Sequence, residues 1–259
     1  MNDKSAGATY LKRYEQKYLL NEEQYRAVQT LLGGRFRPDS YGESVVYSVY
    51  YDTGDYRIIR SGFTKSAYRE KLRLRCYGAP GADDTVYVEL KKKYQGITYK
   101  RRFPVPFSCL NDDGAPPLPP EKQPLYGEFA WFYKRYDLSP AFFIVYDRTA
   151  LEGVDDPNVR ITFDTNIRFR RGGFAEGLLE CSRWTPILQG PHYLMELKTV
   201  NAVPFDLCRS FSEAGIYPVS FSKVKTAWQA TIKPKLINLC GESRHENRRV
   251  NMNTFKEAM

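Results

Sequence analysis

Histidine is almost missing from this chain. His192 and His245 are the only two, so a histidine-rich zinc site is excluded on inventory. A metal acting here would sit on carboxylates, which points to Mg2+ or Mn2+, magnesium or manganese. Cysteine is scarce as well. The thiols at 76, 109, 181, 208 and 240 form an odd, scattered set without a C-x-x-C pair, which implies reduced, packed cysteines and a cytoplasmic setting. No apolar run approaches the roughly eighteen residues of a membrane-spanning helix. The opening MNDKSAGATYLKRYEQK has no apolar stretch that could act as a secretory signal. Low-complexity segments are absent.

What is present is a 259-residue chain, 42% hydrophobic and 15% aromatic, long enough for one large β-rich domain or two small ones. Its formal net charge of +9 implies an anionic partner. Nucleic acid, an acidic membrane surface and a polyphosphate all satisfy that charge, so placement must decide.

Strand signals fall at 10–20, 45–53, 67–78, 84–93, 96–105, 142–153, 158–171 and 193–200. Helical patterns occupy 21–34, capped by Asn21 and stopped by Gly33, and also 55–62, 124–136, 204–215 and 222–232. GAPPLPP at 114–120 reads as a proline-rich surface loop. The expected architecture is α+β, a closed antiparallel eight-stranded β-barrel with a charged interior and flanking helices. One domain is expected over residues 10–233, followed by a basic polar tail over 234–259.

Charge alternates along nearly every strand, and alternate residues share a face. Arg69, Lys71, Arg73 and Arg75 oppose Tyr68, Leu72, Leu74 and Cys76. Glu89, Lys91 and Lys93 oppose Val86, Val88 and Leu90, while Thr98, Lys100 and Arg102 oppose Ile97, Tyr99 and Phe103. Tyr146 and Arg148 oppose Val145 and Asp147. Arg160, Thr162, Asp164, Arg168 and Arg170 are expected on one face, with Val159, Ile161, Phe163, Ile167 and Phe169 on the other. Glu196 and Lys198 oppose Met195 and Leu197; Glu15 and Lys17 oppose Tyr14 and Tyr18.

Two arrangements fit this pattern. Charges can face water around an apolar barrel interior. Alternatively the barrel is inverted, with apolar faces outward beneath helices and charges inward, which makes sense only with a polyanion inside. Arginine-rich faces with few acids, and helices that need an apolar surface to cover, favour inversion. Glu-x-Lys recurs as Glu15-Gln16-Lys17, Glu89-Leu90-Lys91 and Glu196-Leu197-Lys198. Each places an acid and a base about 7 Å apart on one face, which suits a carboxylate holding a cation beside an ammonium holding phosphate. Tyr47, Tyr50, Tyr51 and Tyr99 are assigned to core packing in preference to base stacking.

The ordered series RYEQKYLL, KLRLRCYG, VYVELKKK, YKRRF, YDRTAL, VRITFDTNIR, LMELK and FSKVK resembles the triphosphate tunnel metalloenzymes. Within them it resembles the vacuolar transporter chaperone (VTC) domain of polyphosphate polymerases. The resemblance covers roughly residues 10–232. It implies an antiparallel tunnel, with phosphate and nucleotide binding by Lys17, Arg73, Arg75, Lys91, Lys100, Arg148 and Lys198. It makes Glu196 the metal ligand, with Glu15 and Glu89 next in line. It puts Ser222 and Lys223 at the tunnel mouth as catalytic residues together with Glu196. Asp164 is expected only to pair with arginines.

Hydrolytic branches carry Glu-x-Glu-x-Lys on the first strand, whereas Arg13 stands at the first position here. That departure favours phosphoryl transfer from ATP to phosphate or polyphosphate over hydrolysis. An inorganic triphosphatase or polyphosphatase is the alternative enzyme, and a non-catalytic polyanion binder the alternative outside enzymes. Nucleic acid is disfavoured because the basic residues lie on several strands, not on one helix or an exposed aromatic sheet.

Overall fold

The computed structural model describes residues 14–64, 66–95, 97–110, 124–174, 184–200 and 202–232. Arg13, the proline-rich loop and the tail over 234–259 lie outside the described residues.

In chain order the elements are β1 (Tyr14–Leu20), α1 (Glu22–Leu32), β2 (Phe36–Asp52), α2 (Arg57–Ser61), β3 (Tyr68–Tyr77), β4 (Thr85–Tyr94), β5 (Ile97–Pro106), α3 (Pro124–Tyr136), β6 (Ser139–Gly153), β7 (Arg160–Arg171), β8 (Thr185–Pro186), β9 (Tyr193–Thr199), α4 (Phe205–Glu213) and α5 (Lys223–Ile232). The fold is α+β, and its pairings are antiparallel. Local chemistry sets several boundaries. Asn21 and Gln24 form a reciprocal capping box that starts α1. Gly215, at φ 66°, turns the chain out of α4.

The strand expected over 45–53 begins earlier, at Phe36, and β2 runs through both Pro38 and Gly42. It does so by a register shift between Pro38 and Glu43 against β6, with Gly42 at φ 51°.

The strand order is β1-β9-β7-β6-β2-β3-β4-β5, with the short β8 paired to β7. Among the described residues no ladder joins β1 to β5, so the closed barrel expected from the sequence is corrected to an open sheet. A physical reason is visible on the free side of β1. There the chain leading into α5 donates Val219 N–H to the Lys17 carbonyl at 2.7 Å, taking an edge position that β5 would need.

The open sheet is nevertheless strongly rolled. β1 and β4 are six strand steps apart, roughly 29 Å across a flat sheet. Yet Lys91 of β4 reaches Glu15 of β1 at 3.7 Å.

The roll is inverted in its polarity. Leu72, Leu74, Val86, Val88, Leu90 and Phe103 lie on the outer face and pack with Phe129 and Phe132 of α3. Tyr18, Ile161, Phe163, Met195 and Leu197 do the same beneath α1 and α4. A third cluster occupies one part of the inner face. Val46, Phe142, Ile144 and Leu194 meet Ile59 of α2 and Val224 and Ala227 of α5 there, so α5 lies within the roll.

One expected face is wrong. Asn166 adopts φ 49°, and the β6–β7 register shifts beside it. The alternation of β7 therefore inverts midway. Ile161 and Phe163 face outward, whereas Ile167 and Phe169 turn inward to the third cluster. Arg168 and Arg170 leave the face of Arg160 and Asp164. They stack near Trp184, at 5.7 and 5.6 Å from the ring centroid.

Candidate functional site: a cationic trough

The rolled sheet brings charged faces from seven strands to one concave surface. Glu196 on β9 is the densest node. Its carboxylate lies 2.9 Å from Lys198, 3.4 Å from Lys17, 3.7 Å from Lys223 and 3.9 Å from Arg148. Beside it, Asp164 on β7 takes a two-pronged contact from Arg148 at 2.6 and 2.8 Å and meets Lys223 at 2.5 Å. Its partners are thus one arginine and one lysine, not arginines alone.

Glu89 on β4 is a second node. Both Nε and Nη2 of Arg73 reach it, at 2.6 and 2.5 Å. Lys100 and Arg102 approach it from β5, at 2.9 and 3.7 Å. Glu15 bridges the nodes, 3.4 Å from Lys17 and 3.7 Å from Lys91. The floor between them is polar. Arg75 donates to the Tyr146 hydroxyl at 2.9 Å and to Ser48 at 3.3 Å. Arg73 Nη1 donates to the Tyr50 hydroxyl at 3.1 Å.

Every site residue expected from the sequence lies on this surface: Lys17, Arg73, Arg75, Lys91, Lys100, Arg148, Lys198, Glu15, Glu89, Glu196, Ser222 and Lys223. Lys223 is placed differently from expectation. It is buried against Asp164 and 4.4 Å above the Tyr146 ring, not at an open mouth. The cause is α5, whose Val224 and Ala227 anchor it inside the roll. Ser222 Oγ is hydrogen-bonded to Lys71 Nζ at 3.1 Å.

Burial alone would raise the acids, but the cations outweigh it. Lys223 and Arg148 hold Asp164 below its ordinary value. Lys198, Lys223, Lys17 and Arg148 hold Glu196 well below the carboxylate range. Arg73, Arg75 and Lys100 do so for Glu89. The lysines show the reverse. Burial, reinforced by Lys17, Lys91 and Arg73, brings Lys71 down to about 8. Burial likewise brings Lys100 to about 8 despite Glu89.

Sequence reasoning assigned Tyr50 to core packing, whereas it meets Arg73 on the charged face, and gave no site role to Tyr146, Lys71 or Thr162. Lys71 was in phase with Arg73 and could have been included. Tyr50 could not, because β2 carries tyrosines on both faces: Tyr47 and Tyr51 join the outer cluster, and only the pairing of Tyr50 with Arg73 sets its side. Thr162 stands in register with Glu196, and its buried hydroxyl has no hydrogen-bond partner.

Among the described residues no group of three carboxylate, histidine or cysteine ligands gathers. A divalent ion bound by one or two carboxylates and completed by phosphate oxygens still fits. Glu196 and Glu15 suit it, since both approach Lys17 Nζ at 3.4 Å and are ionised. Glu89 suits it less, because among the described residues it shares none of its cations, Arg73, Lys100 and Arg102, with a second carboxylate, whereas Glu15 and Glu196 share Lys17.

A protein-family model described as the VTC domain matches residues 12–232. No curated protein matches the chain. Solved structures with a similar course include an adenylate cyclase candidate from Bacillus halodurans, 12% identical, covering 80% of this chain and 92% of that one with a TM-score of 0.48. An adenylyl cyclase candidate from Hippeastrum with a dominant triphosphatase activity is 14% identical, covering 88% and 99% with a TM-score of 0.46.

Proposed function

We propose, from the premise that the chain belongs to the VTC domain family, that it binds the triphosphate of ATP in the trough and transfers the γ-phosphoryl group to phosphate or a growing polyphosphate. One observation carries this reading. Lys17, Lys71, Arg73, Arg75, Lys91, Lys100, Arg102, Arg148, Lys198 and Lys223 converge on a surface that holds four carboxylates, Glu15, Glu89, Asp164 and Glu196. Ten cations against four acids repel unless a polyanion joins them.

In the transfer, the bond from the γ-phosphorus to the β–γ bridging oxygen breaks, and an oxygen of the acceptor phosphate bonds to that phosphorus. ADP leaves. The protein's share is positioning and charge neutralisation. Arg73, Arg75 and Arg148 offer planar forks to phosphate oxygens. Lys17, Lys91, Lys100 and Lys198 supply point charges. Lys223, with Ser222 beside it, orients the attacking phosphate. Glu196 and Glu15 would hold Mg2+ or Mn2+, which when bound neutralises charge on the transferring group.

The carboxylates support a phosphate acceptor over water. Each is ion-paired and held ionised, so none is a base poised to deprotonate water near neutrality. A phosphate acceptor is already an oxyanion and needs no such base.

Incubation of the purified protein with γ-labelled ATP and Mn2+, followed by sizing of the products, tests the proposal. Label in chains of several phosphates is expected. Label in orthophosphate alone would replace the polymerase with a triphosphatase, and tight binding without turnover would leave a polyanion binder.

A further inference from the structure

Arg73 is expected to grip phosphate, yet each nitrogen of its guanidinium already has a partner. Nε and Nη2 are committed to Glu89, and Nη1 donates to the Tyr50 hydroxyl at 3.1 Å. These contacts use three of its five N–H groups, and a phosphate that draws Nη1 toward itself competes with one of these partners. Glu89 is the firmer of the two, because Lys100 and Arg102 bind it as well. Tyr50 is the exchangeable one. It lies directly opposite Arg73 in the β2–β3 register, and the guanidinium carbon stands 5.8 Å from its ring centroid.

The surroundings of Tyr50 are cationic on several sides. Lys71, Arg73 and Arg75 face it from β3, Lys223 from α5 and Lys17 from β1. From β6 its cross-strand neighbour is the uncharged Phe142, with the Tyr146 hydroxyl further along, held by Arg75. Glu89 stands beyond Arg73.

We propose that Tyr50 is a phosphate-positioning residue, which holds Arg73 in the ligand-free trough and passes its Nη1 to an incoming triphosphate as the phenol oxygen takes up a proton. The inference rests on the trough being a triphosphate site. The exchange is balanced. The Arg73 N–H bond to the phenolate oxygen is replaced by one to a phosphate oxygen, the proton comes from water, and the new phenol O–H becomes a donor to phosphate. The charge environment agrees with the geometry. Burial raises the Tyr50 phenol, but Arg73, Arg75, Lys71 and Lys223 outweigh it and bring it down to about 7.

The experiment is optical and uses the parent chain beside Tyr50→Phe, each checked for folding by thermal melting. The chain has 20 tyrosines, but an ordinary phenol ionises only near pH 10, and burial pushes Tyr18 up to about 12. The phenolate band of the ligand-free parent should therefore grow by one tyrosine between about pH 6 and 8, and Tyr50→Phe should lack that step. Saturating tripolyphosphate should abolish the step in the parent.

In binding titrations, the affinity of Tyr50→Phe relative to the parent should rise about tenfold from pH 6 to 8, one proton's worth of linkage. Titration of the ligand is common to both proteins and cancels in the ratio. A parent without the optical step would overturn the inference outright. Bound tripolyphosphate with the step unchanged would overturn the release of Arg73 while leaving the site intact. Tripolyphosphate that does not bind at all would overturn the functional reading and the release together, and that result is told apart by the missing thermal shift.

Discussion

Glu196 is where residue-scale electrostatics and proposed chemistry meet. Lys198, Lys17, Lys223 and Arg148 all lie within 3.9 Å of its carboxylate. Glu196→Gln keeps the shape and removes the charge, so two opposite effects are expected. Metal-dependent turnover should fall by about two orders of magnitude, the usual size of one lost electrostatic contribution. The ligand-free fold should weaken by about 3 kcal/mol, as when one partner leaves a buried ion pair. Tripolyphosphate should restore most of that stability, because it supplies the missing negative charge. Turnover assays and melting curves with and without tripolyphosphate check all three. Full activity would make Glu196 a structural counter-ion.

At the scale of the element, β7 depends on a single backbone kink. Asn166 at φ 49° lets Phe163 face outward and Ile167 inward on the same strand. Its side chain also donates to Asp147 at 2.6 Å. A β-branched residue disfavours this left-handed conformation, whereas glycine adopts it freely. Asn166→Val should therefore cost about 1–2 kcal/mol in chemical denaturation, and Asn166→Gly much less. Equal costs would show that the Asp147 contact, and not the backbone, holds the kink.

The whole molecule should respond to anion and to pH through its excess positive charge. Tripolyphosphate at about a thousand times its dissociation constant stabilises the native state by about 4 kcal/mol, a melting shift on the order of ten degrees for a domain of this size. No shift over a wide concentration range would count against a phosphate site.

The sign of the pH effect follows from protons bound. Lys71 and Lys100 at about 8, and Tyr50 at about 7, release protons in the folded state earlier than in the unfolded chain. The unfolded state then binds more protons, so ligand-free stability should rise between pH 7 and about 9. Bound tripolyphosphate should flatten that rise by raising all three values. On the acid side, Glu89 and Glu196 sit well below 4.5 when folded. The stability they contribute is complete above that pH and is lost as pH falls beneath it. Melting temperature against pH, with and without tripolyphosphate, tests both limbs.

Strand positions, the alternation of charge on β3, β4, β5 and β9, and the capping of α1 by Asn21 were legible in the sequence. They depend on period, propensity and neighbours a few residues away. So was membership of the charged faces, since Arg73 and Arg75, or Glu196 and Lys198, are tied by a two-residue period regardless of what lies opposite. The remaining features needed the tertiary structure, because each depends on residues distant in the chain. Pairing with Arg73 decides the role of Tyr50, and packing under α5 buries Lys223. The bulge at Asn166 reverses the phase beyond it. The edge of β1, met by Val219, leaves the sheet rolled but open. A periodic pattern tells which side chains share a face. Only the closing of long loops, which brings β1 against β9 and the roll against α5, decides what that face surrounds.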